Sequence, residues 1–341
     1  MAEEEPPAKK AKAAWKAVPA PDSVVGHLSK EPRLAGRVAV ISGAGQGFGQ
    51  AIAVRFVEEG CRVVMFSRRG CAETMKLIGT IAGLDDAAVV ALDCKADLSD
   101  EASLAAMVAA GVAKFGQLDI LVNNAAAFVF ESVETATAAD WDWTCAVNIK
   151  GHALCTKACL PHLKRSDAAA IVFQGSISSF LGQPNCATYA TMKGAIVQLA
   201  RNCAYDFAKY LGGVDVDVKM DPGDERCREI SLTRSSRSRA GTIAGPRIKK
   251  TTLRRRYGVR VNTVCAGTIE TPISATERAA HGWSYAEWEA LKTKDVMLRR
   301  VGHVREVANA TLFYACPESS YCTGGHLMVD GGQTSCTVMD A

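Results

Sequence analysis

The chain alternates short apolar runs with longer segments of helical period from Arg37 onward. The runs are RVAVISG, RVVMFS, AAVVALD, LDILVNN, AAIVFQGS, GVRVNTVCAG and GHLMVDGG. Strands that are apolar along their whole length are typical of a parallel sheet covered by helices on both faces. Since parallel strands need right-handed crossovers, the pattern predicts one doubly wound α/β domain over residues 34–333, with about seven strands.

Two segments do not follow this pattern. Residues 1–33 are expected to be a disordered tail. Residues 210–256 separate a helix from the next strand, where two to six residues usually suffice. The stretch 211–256 holds twelve Lys or Arg and six Asp or Glu, a net charge of +6 in a chain of net charge +4. We interpret 210–256 as a basic, disordered insertion, and as a retained intron or gene-model error if it is absent from the mature protein.

Composition excludes several function classes. The chain has no apolar run of eighteen residues, so no membrane partner is expected. Outside the insertion the charge is nearly balanced, which gives no indication of a nucleic-acid partner. The thirteen cysteines show no framework of spacings and no metal-ligand set. They are expected to be free thiols in a reducing compartment, which makes a cytoplasmic location the default and a metal site unexpected.

A glycine-rich segment joins the first strand to the first helix. It contains Gly43, Gly45, Gly47 and Gly49 within VAVISGAGQGFGQAIA. Glycines in this place allow a tight turn and a close helix, and the free N–H groups of the helix terminus can bind a pyrophosphate. The strand, turn and helix together predict a dinucleotide site in a Rossmann fold, with Gln46 and Phe48 in the same turn.

The end of the second strand bears on the choice of cofactor. It reads VVMFSRRG, and no Asp or Glu occurs between Arg62 and Ala72. An acidic residue here holds the ribose of NAD, whereas cations suit the 2′-phosphate of NADP. Ser67, Arg68 and Arg69 therefore favour NADP(H), with NAD(H) as the alternative.

Tyr189 and Lys193 stand four residues apart in YATMK, so they share one face of a helix. A cation at roughly 4 Å contributes on the order of 4 kcal/mol at an effective dielectric of about 20. That could lower the tyrosine pKa by up to about three units and make the phenol a general acid and base. Ser176, at the end of the preceding strand, could stabilise charge on a substrate carbonyl oxygen.

These segments together resemble the short-chain dehydrogenase/reductase family over residues 34–333 apart from the insertion. The matching segments are SGAGQGFG at 42–49, ADL at 96–98, NNAA at 123–126, NIKG at 148–151, YATMK at 189–193, CAGTIETP at 265–272 and VDGG at 329–332. The departures from the family pattern are Ser42 for Thr, Ala126 for Gly and Ala266 for Pro. Neither alanine removes a chemical role, although each could loosen cofactor binding.

The resemblance implies a role for each matched residue. Tyr189 would pass its proton to the alkoxide as hydride arrives, Lys193 would also hold the nicotinamide ribose, Ser176 would bind the carbonyl, and Asn148 would position a water beside Lys193. A plainer interpretation of Asn148 is a helical Asn bonded to its own backbone. The implied cofactor contacts are Asp97 and Leu98 for adenine, Asn124, Ala125 and Ala126 after the fourth strand, and Gly267, Ile269 and Thr271 near the carboxamide.

Residues 272–300 correspond to the family's variable substrate lid, and Trp283, Tyr285 and Trp288 could line a pocket or simply pack. The prediction is an NADP(H)-dependent oxidoreductase acting on a small carbonyl or secondary alcohol, with a 3-oxoacyl thioester, a ketone or a sugar as substrate. The alternatives are an NAD-dependent alcohol or sugar dehydrogenase and a cofactor-binding regulatory protein without turnover. The resemblance also implies a homo-oligomer, a tetramer or dimer, formed through the helices at 140–163 and 187–209.

Overall fold

A computed structural model describes residues 28–208 and 258–335. Its strands are β1 (Val38–Ser42), β2 (Arg62–Ser67), β3 (Ala91–Lys95), β4 (Ile120–Asn123), β5 (Ala170–Ser176), β6 (Arg260–Ala266) and β7 (His326–Val329). Its α-helices are α1 (Gly47–Glu58), α2 (Ala72–Gly79), α3 (Ala87–Val90), α4 (Glu101–Phe115), α5 (Ala138–Cys145), α6 (His152–Leu163), α7 (Ala187–Ala208), α8 (Pro272–His281), α9 (Tyr285–Thr293) and α10 (Val304–Ala315).

The strands form one parallel sheet in the order β3-β2-β1-β4-β5-β6-β7. This confirms the predicted doubly wound Rossmann fold with seven strands. The chain runs outward from β1 to β3 and then returns to place β4 on the other side of β1. The direction of winding therefore reverses between β1 and β4, and a crevice opens there at the carboxyl ends of the strands.

Two clusters of buried apolar side chains cover the two faces of the sheet. On β1, Ile41 belongs to the cluster under α1, α2 and α10, whereas its neighbour Val40 belongs to the cluster under α4, α6 and α7. Successive side chains of a strand point to opposite faces, so a strand buried on both faces is apolar throughout. This is the physical reason for the continuous apolar runs in the sequence.

Two predicted elements differ from those observed. The run AAVVALD does not begin as a strand, because the Asp86 carboxylate accepts a hydrogen bond from Ala88 N at 2.7 Å and starts the short helix α3. The long helix expected over 140–163 is divided, since a π-helical turn at Ala146–Gly151 separates α5 from α6. Such turns are frequent at functional sites, and this one contains Asn148.

The predicted tail at 1–33 extends too far along the chain. Ser29 N donates to Glu58 O at 2.7 Å, and the Arg33 guanidinium pairs with Glu59 at 2.8 Å. The segment 28–33 is therefore attached to the end of α1, and residues 1–27 lie outside the described part of the chain.

The predicted insertion at 210–256 also lies outside the described residues, but the segments on either side of it are defined. A Cβ placed on Gly258 would lie 2.8 Å from Ala208 O and 3.4 Å from Ala208 Cα. The end of α7 and the start of the β6 segment are thus in direct contact. This contact is at the amino end of β6, opposite the edge of the sheet where ligands bind in such folds.

The prediction of free cysteine thiols is confirmed for the described residues. The eleven cysteines of the described segments are free, and eight of them are buried. Within the same segments, no helix is long and apolar enough to cross a membrane.

Candidate active site

A cavity of about 480 Å³ opens at the carboxyl ends of β1, β2, β4, β5 and β6. Almost all of the residues that the sequence predicted for the site line this cavity. The predicted residues that line it are Gly43, Gly45, Gln46, Gly47, Phe48, Ser67, Arg68, Arg69, Asp97, Leu98, Asn124, Ala125, Ala126, Ser176, Tyr189, Lys193, Gly267, Ile269 and Thr271. Gly49 and Asn148 do not line the cavity. Each contacts a residue that does, Gly43 and Ala127 respectively.

The glycine-rich turn forms the floor of the cavity. Gly43 adopts a φ of +65°, and a Cβ there would lie 2.8 Å from Ala125 Cα. A Cβ on Gly49 would lie only 2.3 Å from Gly43 O. Gly49 is therefore required for close packing of α1 against the turn, not for contact with a ligand.

The first helix begins at this turn without a side-chain cap. Gln46 is the N-cap of α1 and makes no side-chain bond to the N–H groups of the first turn. Gly47 has nothing nearer than Pro272 Cδ at 3.9 Å from its ideal Cβ position, so the turn is open to the cavity. Uncapped N–H groups facing open space are the donors that a pyrophosphate needs. The residues present therefore fit a dinucleotide.

Ser42 and Asn124 connect this turn to the end of β4. Ser42 Oγ accepts hydrogen bonds from Asn124 N at 2.8 Å and Ala125 N at 3.0 Å. The Asn124 side-chain amide donates to Ser42 O at 2.8 Å and Gly43 O at 3.2 Å. The side chain of Asn124, predicted to contact the cofactor, thus holds the two loops together. A serine suffices in the place of the family's threonine because only the hydroxyl is used.

The adenosine end of the cavity lies beside β2 and β3. Ser67 Oγ donates to Gly70 O at 2.7 Å and closes the turn that carries Arg68 and Arg69. The pKa of Asp97 is lowered by hydrogen bonds from Ser99 and by the charge of Arg68. Asp97 is the only acidic residue among the described residues that line the cavity.

Tyr189 and Lys193 share one face of α7 and line the cavity together, as predicted. Lys193 Nζ lies 5.6 Å from the centroid of the Tyr189 ring and donates to Gln174 O at 2.7 Å. Burial lowers the pKa of Lys193 to about 8. Ser176 Oγ accepts from Ser178 N at 3.1 Å, donates to Ser178 Oγ at 3.1 Å and lies beside the Tyr189 hydroxyl.

The expectation of an acidic phenol is wrong for the protein by itself. Burial raises the pKa of Tyr189 to about 12, and the neighbouring Ser176 hydroxyl offsets only part of this effect. The Lys193 ammonium is bonded to a backbone carbonyl of β5, and its own charge is disfavoured by burial. Desolvation of the phenol is therefore the largest influence on its pKa, and the lysine does not lower that pKa as the spacing suggested.

Asn148 is fully buried, and its side chain binds another segment. Its Oδ1 accepts from Ala127 N at 2.7 Å, and its Nδ2 donates to Ala127 O at 2.9 Å. It is not bonded to its own helix through these atoms, so the plainer interpretation is wrong. Both the oxygen and the nitrogen of the Asn148 side-chain amide are hydrogen-bonded to the backbone of Ala127. Asn148 is therefore a clamp that holds the loop after β4 in place.

His152 lies one turn after Asn148 and is fully buried. Its Nε2 lies 2.9 Å from Ala125 O. Burial and the charge of Lys193 lower the pKa of His152 to about 3, so the ring is neutral at pH 7. The neutral ring supports the same loop that Asn148 clamps.

The predicted lid contributes less to the cavity than its aromatic content suggested. Of the side chains that the structure describes in 272–300, only those of Pro272 and Ile273 line the cavity. Trp288 is buried and donates from Nε1 to Glu277 at 2.9 Å, while the Arg278 guanidinium lies 5.0 Å from the Trp288 ring. Of the two interpretations left open by the sequence, packing between the lid helices is the correct one for Trp288.

Several lining residues were not predicted from the sequence. They are Phe66, Gly70, Ala96, Ala127, Phe128, Trp143, Val147, Gln174, Gly175, Ala266, Pro272 and Ile273. Gln174 and Gly175 lie next to Ser176 at the end of β5. Their position at the end of a strand could have predicted that they line the cavity. Phe128 carried no signal, because its contact with Tyr189 joins residues 61 positions apart.

A Rossmann domain with a dinucleotide cavity and a Ser-Tyr-Lys set at one end defines a nicotinamide-dependent oxidoreductase. The family model for short chain dehydrogenase matches residues 37–223, and that for enoyl-(acyl carrier protein) reductase matches residues 251–334. The chain belongs to the short-chain dehydrogenase/reductase family. It is therefore an enzyme acting on alcohol or carbonyl groups.

Individual relatives match over nearly their whole length. An uncharacterized oxidoreductase of Thermotoga maritima is 30% identical over 88% of this chain and 98% of its own. The NADP-dependent (R)-specific alcohol dehydrogenase of Lentilactobacillus kefiri is 29% identical over 89% of this chain and 98% of its own. The structure of a short-chain dehydrogenase/reductase from Burkholderia xenovorans superposes with a TM-score of 0.71 at 27% identity, covering 90% and 100% of the two chains.

Proposed function

We propose that the protein is an NADP(H)-dependent carbonyl reductase in which Tyr189 is the general acid and base. The observation that carries the proposal is the convergence of Ser176, Tyr189 and Lys193 at one end of a cavity whose other end presents Arg68 and Arg69. A proton donor and a site for a phosphorylated dinucleotide thus share one cavity.

The cofactor would be held by groups along the whole cavity. The uncapped start of α1 suits the pyrophosphate. Arg68 and Arg69 suit the 2′-phosphate of NADP, and Ser67 closes their turn. Asp97 and Leu98 lie where the adenine would be bound, while Ile269 and Thr271 lie beside the nicotinamide end. The NADP dependence of the Lentilactobacillus relative supports this preference.

When bound, the nicotinamide would supply the hydride, with its two electrons, that the reduction of a carbonyl carbon needs. This chain supplies the proton. Because the pKa of Tyr189 is raised to about 12, the phenol is protonated at neutral pH and can donate to the carbonyl oxygen. Ser176, whose hydroxyl lies beside that of Tyr189, would share the developing charge on that oxygen. The ketone becomes a secondary alcohol, and this protonation state favours reduction near pH 7.

Asn148 takes part as a positioning residue. Its two bonds to Ala127 fix the loop that includes Asn124, Ala125 and Ala126 on the cavity wall. The π-helical turn around Asn148 interrupts the regular hydrogen bonds of the helix. We propose that this turn, rather than the amide side chain, is where a water beside Lys193 is bound.

The decisive variant is Tyr189→Phe, with Tyr205→Phe as the control because Tyr205 is 86% exposed on the same helix. Tyr189→Phe should bind NADPH with unchanged Kd while kcat falls by about 10²–10⁴-fold, the usual contribution of a positioned acid. Isothermal titration and ketone reduction measure the two quantities. An unchanged kcat would exclude this mechanism, and a cofactor-bound protein without any turnover would favour a regulatory role.

The family resemblance and one exposed residue support a homo-oligomer. Tyr205 is 86% exposed on α7, one of the two helices through which assembly was predicted. We propose a tetramer or dimer formed through the predicted helical segments 140–163, which contains most of α5, the π-helical turn and α6, and 187–209, which contains α7. Light scattering of wild type and Tyr205→Asp would test this, because the variant should dissociate if this face is buried between copies.

A further inference from the structure

Ser176 is the first member of a row of hydrogen-bonded polar groups that leads away from the cavity. Its Oγ donates to Ser178 Oγ at 3.1 Å, and Ser178 Oγ donates in turn to Gln183 Oε1 at 2.5 Å. Ser176 and Ser178 are buried, whereas Gln183 is exposed. This hydroxyl row of three residues therefore connects the hydroxyl beside Tyr189 with an amide at the surface.

Local bonds hold the serines of the hydroxyl row in place. Ser176 ends β5, and its Oγ accepts from Ser178 N at 3.1 Å at the start of a 3-10 turn. Ser176 N donates to Ser179 Oγ at 3.3 Å, and Ser179 Oγ donates to Lys193 O at 2.8 Å. The two serine oxygens are thus fixed near each other, while their hydrogens and the exposed Gln183 amide are the parts of the row that can reorient.

The direction of the hydrogen bonds in the row determines what Ser176 can do. A serine hydroxyl carries one hydrogen. While Ser176 donates that hydrogen to Ser178, it cannot donate it to a carbonyl oxygen in the cavity. Stabilisation of charge on that oxygen needs a donor. In the observed direction, the Ser176 hydrogen therefore points away from the substrate.

The Gln183 amide can reverse this direction. Its oxygen only accepts and its nitrogen only donates, and a half-turn of the amide exchanges the two. With the nitrogen toward Ser178, Ser178 Oγ accepts from Gln183 and is free to donate to Ser176. The Ser176 hydrogen is then available to the cavity, and each bond of the row strengthens the next.

We infer that Gln183, acting through Ser178, is a positioning residue that sets the direction of the Ser176 hydroxyl. Within the described part of the chain, neither Gln183 nor Ser178 lines the cavity, so both act on the reaction through Ser176. This inference rests on the proposed function and adds two residues that control its carbonyl-binding hydroxyl.

Two substitutions of Gln183 separate direction from simple contact. Gln183→Glu ends the row in a group that is ionised at pH 7.5 and only accepts, so Ser178 keeps donating to it. Donation from Ser176 to the substrate must then break the bond between the two serines. The loss of one ordinary hydrogen bond corresponds to about a two- to tenfold fall in kcat. Gln183→Met has a similar length without the amide, which leaves Ser178 free to donate to Ser176, so kcat should fall less. The Kd for NADPH should be the same in both variants as in wild type.

Ser178→Ala supplies the second measurement because it removes the hydroxyl between Gln183 and Ser176. Gln183→Glu should lower kcat in the wild-type background and have no further effect when added to Ser178→Ala. Asn185→Asp is the control for charge, since Asn185 is exposed in the same loop and outside the row. Its φ of 51° is also tolerated by aspartate, so kcat should not change. Rates are measured with NADPH and whichever of cyclohexanone, butanone and ethyl acetoacetate the wild-type enzyme reduces fastest.

The two proposals fail in different ways. The control of Ser176 would be overturned, and the carbonyl reductase left standing, by an unchanged kcat in Gln183→Glu, by an equal loss in Gln183→Met or Asn185→Asp, or by a loss that persists in the Ser178→Ala background. No reduction of any of the three carbonyl compounds, or an unchanged kcat in Tyr189→Phe, would overturn the proposed function and this inference with it.

Discussion

The two hydrogen bonds between Asn148 and Ala127 should make the Asn148 side chain important for stability as well as activity. Asn148→Ala removes both bonds, of 2.7 and 2.9 Å, and leaves the N–H and C=O of buried Ala127 without partners. Each orphaned group costs about 1–3 kcal/mol. The expected loss is therefore about 2–6 kcal/mol, a large part of the about 5–15 kcal/mol that stabilises a typical domain.

Asn148→Asp provides a second, pH-dependent measurement. One carboxylate oxygen can still accept from Ala127 N, but the other faces Ala127 O, where only a protonated carboxyl can donate. The folded state should therefore raise the pKa of this carboxyl above its unfolded value of about 3.9. For a raised pKa, the extra stability is complete at low pH and is lost as pH rises through the folded pKa. The free energy of unfolding of Asn148→Asp should therefore fall further below that of wild type as pH rises from 5.5 to 8.5.

The assay is equilibrium unfolding in urea, followed by circular dichroism, with wild type measured at each pH as the reference. Activity is measured under conditions where each variant is folded. The clamp would be refuted if Asn148→Ala lost less than about 1 kcal/mol, the value of one ordinary hydrogen bond, or if the deficit of Asn148→Asp did not change with pH.

Three further predictions concern the cavity and the insertion. Gly49→Ala should destabilise the protein by about 1–3 kcal/mol and raise the Kd for NADPH, since its Cβ would lie 2.3 Å from a backbone oxygen. Gly47→Ala, at a φ of +58° in open space, should cost about 1–2 kcal/mol from backbone strain. A Gly49→Ala variant with wild-type stability and an unchanged Kd for NADPH would contradict this reasoning. Replacing Arg68 and Arg69 with Gln should raise KM for NADPH by about tenfold or more, because one or two charge-assisted hydrogen bonds are lost. KM for NADH should not change. If the wild-type enzyme has equal KM values for the two cofactors, the proposed preference for NADPH is wrong. Deleting residues 210–256 should leave Tm and kcat/KM equal or higher, because the segments on either side are already in contact; loss of folding would show that the insertion is structural.

The sequence by itself determined the fold and most of the cavity. Apolar runs separated by helical segments can be buried only as a parallel sheet covered on both faces, and the winding direction then places the strand ends at one crevice. The residues predicted for the site follow strands or begin helices at that edge. For this reason Gly43, Arg68 and Ser176, far apart in the chain, line the same cavity.

Only the tertiary structure decided what these groups are bonded to. The side-chain amides of Asn124 and Asn148 are hydrogen-bonded to the backbone of neighbouring segments. These partners could not be predicted from the residue type. Tyr189 has a raised pKa because it is buried, and the stacking of Phe128 on its ring depends on a loop that follows a different strand. Hydrogen-bond partners, desolvation and stacking depend on segments distant in sequence, so spacing along the chain predicts which groups meet but not the balance of forces between them.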